Sequence, residues 1–162
     1  MRAWVFGDDV STDAIAPGRY MKSDLAEMAQ HCLETVDPAF AKSVRFGDVL
    51  VAGRNFGAGS SREQAPAALK HLGIATLVAE SFAGLFYRNS LNLGLPALVC
   101  PEARQIHAGA ELKISYEEGA IYDLSARRQF AFEPIPPHLW EMVLDGGLLP
   151  HLEKRLKCRT TS

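Results

Sequence analysis

Apolar residues recur along this chain in two rhythms. Up to about residue 100, short continuous apolar runs bounded by glycine or polar residues read as buried strands. They are RAWVF at 2–6, GDVLVAG at 47–53, IATLVAE at 74–80 and PALVC at 96–100. Between them the spacing turns helical. Residues 24–34 put Leu25, Met28 and Cys32 on one face, and 61–73 and 81–94 carry two more helical segments. Strands alternating with helices predict a mainly parallel sheet with helices on its faces.

After Glu102 the pattern changes. AELKISYEEGAIYDL (110–124) alternates apolar and polar residues about Glu118-Gly119, which predicts antiparallel strands with one wet face. RQFAFEP (128–134) adds another strand. Residues 136–147 and 148–157 read as closing helices split at Gly146-Gly147. The expected architecture is α/β: a partly parallel sheet with flanking helices and an antiparallel C-terminal part, in one domain over 1–162. Residues 7–18, GDDVSTDAIAPG, read as a loop.

Composition narrows the function classes. A length of 162 residues with 48% hydrophobic suits one domain with a buried core. Charged residues make up 22% and the net charge is −2, so no field steers nucleic acid or anionic lipid to the surface. The one basic cluster, Lys154, Arg155, Lys157 and Arg159, reads as a solvated helix end. Cys32, Cys100 and Cys158 are odd in number and widely spaced, which suggests neither a disulfide framework nor a metal site. A reducing cytoplasm is the expected compartment. The first residues do not pair a cationic stretch with an apolar run, so no leader is expected. No apolar stretch reaches the ~18 residues of a membrane span.

The candidate chemistry lies in GAGSSREQA at 57–65. Ser61 followed by Gln64 fits a capping box at the start of a helix. A helix end also presents free N–H groups that attract anions. A phosphate loop would want a lysine after the glycines, and a dinucleotide loop a third glycine where Arg62 stands. Arg62 suits a carboxylate instead, because a guanidinium grips one with two parallel bonds. On the residues alone, capping and an anion site both stand.

A longer stretch carries a resemblance. GRNFGAGSSREQAPAALKHLGIATLVAESFAGLFYRNSLNLGLPAL, with GDDVSTDAIAPGRYM upstream and DGGLLPHLEKRLK at the end, resembles the aconitase swivel domain. More narrowly it is similar to the small subunits of 3-isopropylmalate dehydratases and their homoaconitase-like relatives. The resemblance implies a swivelling β/β/α domain that closes over a separate, large aconitase-like subunit. It implies that a [4Fe–4S] cluster sits on that partner, with no cofactor on this chain. It implies a hydro-lyase acting on a small hydroxy-diacid, such as 3-isopropylmalate in leucine biosynthesis. Homoaconitase-like or methylmalate-type substrates, or a non-catalytic carboxylate-binding module, are the alternatives.

By the same resemblance Ser60 is the position of the base that takes a proton from carbon. Arg62 is that of the carboxylate-binding arginine, beside Ser61, and Asp13 matches an active-site aspartate. GRYMKS (18–23) aligns with the loop that selects the substrate side chain. There Tyr20 and Met21 offer apolar contact, and Lys22 offers a cation for an extra carboxylate or simply points to water. The chain departs from the family with Ala58 between the glycines and Gln64 after the glutamate. Asp8 and Asp9 read as solvated loop residues. Arg88 and Asn89 read as a brace for the Ser60 turn or a partner contact. The five histidines read as surface or helix-end residues, and Trp4 and Trp140 as core or interface anchors.

Overall fold

A computed structural model describes residues 1–160 and the side chains through residue 158. Four short strands form a wholly parallel sheet in the order β1 (Ala3–Val5), β2 (Val49–Ala52), β3 (Thr76–Ala79), β4 (Ala97–Val99). Helices fill each crossover, as parallel neighbours require. Between β1 and β2 lie α1 (Thr12–Ile15), α2 (Leu25–Gln30) and α3 (Phe40–Ser43). Then α4 (Gln64–His71) leads to β3 and α5 (Gly84–Asn92) to β4. A second sheet is antiparallel: β5 (Leu112–Ser115), β6 (Ala120–Asp123) and β7 (Arg128–Ala131). The chain closes with α6 (Pro137–Leu144) and α7 (Leu148–Thr160).

The parallel strands are apolar throughout because both of their faces are buried. Leu50, Ala52, Leu77, Ala79 and Ala97 pack with residues of α2, α4, α5 and α6 in one cluster. Their alternating neighbours, Val49, Val51, Val78 and Leu98, pack with Leu112, Ile121 and Phe130 of the antiparallel sheet in another. The parallel sheet is thus the middle layer of three. Sheet, sheet and helices stack in the β/β/α order that the resemblance implies.

Several boundaries move from their expected places. The helix expected over 24–34 is regular only to Gln30, and Leu33 takes φ 58°, which a helix cannot contain. Met28 and Cys32 are buried as expected, but Leu25 is 39% exposed. Residues 7–18 are not all loop, because Ser11 caps α1 by accepting from Ala14 N at 3.1 Å. The basic C-terminal end is not wholly solvated: Lys154 Nζ donates to Asp145 at 2.6 Å, and His151 bonds the same carboxylate at 2.7 Å. Arg159, expected in that cluster, has a side chain outside the described residues. No described helix is long and apolar enough to cross a membrane.

Candidate active site

Parallel strands deliver the loops that follow them to one edge, where ligands of such sheets commonly bind. Here the loops after β1, β2 and β3 are stitched side by side. Gly57 N donates to Val10 O at 2.8 Å and Thr12 N to Ala58 O at 2.8 Å. Phe56 N reaches Ser81 O at 3.1 Å, and Ala83 N reaches Phe56 O at 2.9 Å. Isolated parallel bridges, Ser11 with Ala58 and Phe56 with Phe82, extend the strand order into the loops.

Asp8 and Asp9 are exposed loop residues, as expected, and also add side-chain ties. Asp8 accepts from Arg54 N at 2.7 Å and pairs with Arg104. Those bonds hold its carboxyl below the usual carboxylate range, the Arg54 amide most and then Arg104. Asp9 accepts from Asn55 Nδ2 at 2.8 Å. Nothing in the local sequence marks these ties, because each joins residues 46 or more positions apart.

Gly57 shows why a glycine stands in this turn. It takes φ +83°, and a Cβ there would lie 2.1 Å from Phe86 Cγ. Gly59 takes φ +102°. Both conformations suit only a residue without a Cβ. The chain leaves the turn with Ser60 and Ser61 exposed. The Ser61–Gln64 capping box does not form. Helix α4 begins at Gln64 behind Glu63, with no side-chain cap. Ser61 Oγ instead accepts from Asn89 Nδ2 of α5 at 3.3 Å. Asn89 is 9% exposed and so braces the turn from below, whereas exposed Arg88 has no polar partner among the described residues.

With the cap unmade, the amides stay open. Among the described residues, the backbone N–H groups from Gly59 to Gln64 reach no acceptor of the chain. They lie at the amino end of α4, where the helix dipole adds positive potential.

Arg62 turns back toward the first loop. Its Nη1 donates to Asp13 Oδ1 at 2.8 Å and to Ala16 O at 2.8 Å. Asp13 Oδ1 also accepts from Gly18 N at 3.0 Å. These bonds, Arg62 first, hold the Asp13 carboxyl below the usual range and therefore ionised at neutral pH. Gly18 lies against both groups: a Cβ there would sit 3.2 Å from Asp13 Oδ1 and 3.8 Å from Arg62 Nη2. Arg62 Nη2 and Nε bond nothing among the described residues, so one edge of the guanidinium is free for a ligand. Its side chain is 20% exposed and that of Asp13 68%.

Ser60, Ser61, Arg62 and Asp13 are thus gathered at one edge of the sheet. The residues of 18–23, expected to select the substrate, are disposed differently. Tyr20 stacks on His31, ring centroids 3.8 Å apart, and packs with Met21 against the helix-side core. Lys22 is exposed with no ion-pair partner among the described residues. A hollow of about 780 Å³ is lined by Arg19, His31, Glu34 and Lys42; Ser60, Asp13 and Arg62 are not on its wall. Ser60 and Ser61 stand on an exposed rim.

The cysteines do not fit an iron–sulfur cluster, which is held by several thiolates converging on one point. Cys32 and Cys100 are buried in different cores, on opposite faces of the parallel sheet, and Cys158 is exposed on α7. Burial pushes the Cys32 and Cys100 thiols up, away from the ligating thiolate form. The described residues also include no group of three or more His, Cys, Asp or Glu side chains able to hold a metal ion.

These features define an α/β domain with an exposed rim of open amides, and the pattern of the aconitase C-terminal domain matches residues 12–103. The chain belongs to the aconitase C-terminal domain family. It is 47% identical over 154 residues to the 3-isopropylmalate dehydratase small subunit of Moorella thermoacetica, covering 94% of this chain and 93% of that one. It is 46% identical over 156 residues to the methanogen homoaconitase small subunit of Methanothermobacter thermautotrophicus, covering 96% and 91%. The crystal structure of a 3-isopropylmalate dehydratase from Methanocaldococcus jannaschii superposes with a TM-score of 0.95 at 41% identity, covering 99% of this chain and 96% of that one.

Proposed function

We propose that this chain is the small subunit of a hydro-lyase of the 3-isopropylmalate dehydratase type, working in the cytoplasm with a large iron–sulfur subunit. One observation carries the reading: an exposed serine, six open backbone amides and a half-free guanidinium share one rim of an otherwise closed α/β layer stack. The likeness to small subunits of the same length supports it.

The reaction removes a proton from one carbon and hydroxide from its neighbour. It forms a double bond, and water can be added back in the opposite sense. Loss of the proton beside a carboxylate drives negative charge onto that carboxylate. The free edge of Arg62 suits it in two-point fashion, and Asp13 and Ala16 O hold the other edge fixed. Asp13 therefore serves as an ionised anchor for Arg62. Ser60 Oγ takes the carbon-bound proton. A serine oxygen is a weak base unless its anionic form is stabilised, and the open amides with the amino end of α4 supply that field. An iron–sulfur cluster held by the partner would supply Lewis-acid chemistry to help the hydroxyl leave. Swivelling onto the partner closes the open rim and strengthens every polar contact in it.

The test is reconstitution. This chain mixed with its large subunit should convert 3-isopropylmalate, and neither subunit alone should do so. A Ser60→Ala chain should still assemble and bind substrate, with kcat lower by about 10²–10⁴. Full turnover by the Ser60→Ala pair would exclude the reading. Exposed Lys22, beside Tyr20 and Met21, favours one second reading: a homocitrate-type tricarboxylate whose extra carboxylate meets that cation. A substrate panel on the wild-type and Lys22→Val pairs separates the two. Loss of the tricarboxylate alone, with 3-isopropylmalate retained, would select the second.

A further inference from the structure

We propose that Thr12 is a positioning residue, whose hydroxyl sets the peptide plane of Ser60 and so aims the proton-accepting site. The inference rests on the hydro-lyase reading of that site. Thr12 opens α1 and is 2% exposed. Its Oγ1 donates to the Ser60 carbonyl oxygen at 2.9 Å. Among the described residues this is the one hydrogen bond to Ser60, whose own N–H and Oγ have no partner in the chain.

The tether is stiff at one end and needed at the other. Thr12 N is fixed to Ala58 O at 2.8 Å, and its branched Cβ restricts χ1. Gly59, by contrast, precedes Ser60 at φ +102°, where rotation is cheap. A Cβ on Gly59 would meet Thr12 Oγ1 at 3.4 Å, an ordinary contact, so the positive φ rather than lack of space calls for glycine there. In a trans peptide the C=O and the following N–H point in opposite directions. Drawing the Ser60 carbonyl inward to Thr12 therefore turns the Ser61 N–H outward, to the exposed rim where the reacting acid binds. Without the tether this peptide can flip. A carbonyl dipole would then face the Ser60 anion where an amide should, and the serine would be a poorer base.

Thr12→Val removes the hydroxyl and keeps the shape, Thr12→Ser keeps the hydroxyl, and Thr12→Cys offers a weak donor of similar size. Each chain is assembled with the large subunit and assayed with 3-isopropylmalate across pH. The expected result for Thr12→Val is a kcat about tenfold lower or more, with KM within about twofold and the acidic limb of kcat, which reports deprotonation of the base, moved to higher pH. Thr12→Ser should stay within about threefold of wild type, and Thr12→Cys should fall between the two. Wild-type kcat and an unmoved pH profile in Thr12→Val overturn the inference, as does a loss confined to KM. If Thr12→Val fails to fold, the same criteria on Thr12→Cys against Thr12→Ser decide it. A wild-type pair with no dehydratase activity instead defeats the hydro-lyase reading itself.

Discussion

The two faces of the parallel sheet do different work. On the helix face, the crossovers start from loops that carry Asp13, Ser60 and Arg62, held by bonds spanning 46 to 49 residues. On the other face the antiparallel sheet closes an apolar layer around Ile121 and Phe130, with tight turns between its strands and none of the candidate site residues. Both faces are closed by clusters of buried apolar side chains. What distinguishes them is polar groups left open: the loop edge leaves amides and a guanidinium unpaired, whereas between the two sheets Tyr116 Oη and Thr76 Oγ1 of β3 satisfy each other at 2.6 Å. A protein can leave polar groups open only where water or a ligand replaces the missing partner. The candidate site therefore sits where the fold leaves the most polar groups open.

Substitutions can break this division of labour. The largest effect is expected at Ser60: Ala should lower kcat by about 10²–10⁴ with the melting temperature unchanged, read by assay of the assembled pair and by calorimetry. The mirror experiment is Ile121→Ala, in a fully buried position. It should cost about 2–5 kcal/mol in urea unfolding and leave kcat of the folded pair as it was. A fall in kcat there would mean that the two faces are coupled.

Arg62→Lys comes next. Lysine cannot hold Asp13 and Ala16 O with one edge and a carboxylate with the other, so kcat/KM should drop by about 10–100-fold while stability holds. The smallest effect sharpens the electrostatics. The Asp13 carboxyl is held low, so its bonds to Arg62 and Gly18 are fully present above the ordinary carboxylate value near 3.8 and fail only as pH falls through the lowered one. Carboxyl-carbon NMR should place its titration below 3.8, and Arg62→Ala should move it upward. An Asp13 that already titrates at the ordinary value would mean that the pair does not persist in solution.

Much of this molecule is written in local pattern. Apolar runs without alternation, VLVA and TLVA, read as strands covered on both sides, and AELKISYEEGAIYDL reads as antiparallel strands with one wet face. Those rhythms gave the α/β class and the change of texture after Glu102, because periodicity depends on neighbours in sequence. The GSSRE segment pointed to its chemistry only through the family resemblance, since its residues alone fit a helix cap as well as an anion site. Tertiary structure alone decided how those residues are used. Ser61 gives up the cap that its spacing predicts because Asn89, 28 residues away, reaches its hydroxyl. Asp8, Asp9, Thr12 and Asp13 found their partners in loops that the chain had yet to make. Such bonds depend on which strand ends lie side by side, and no window of sequence contains that information.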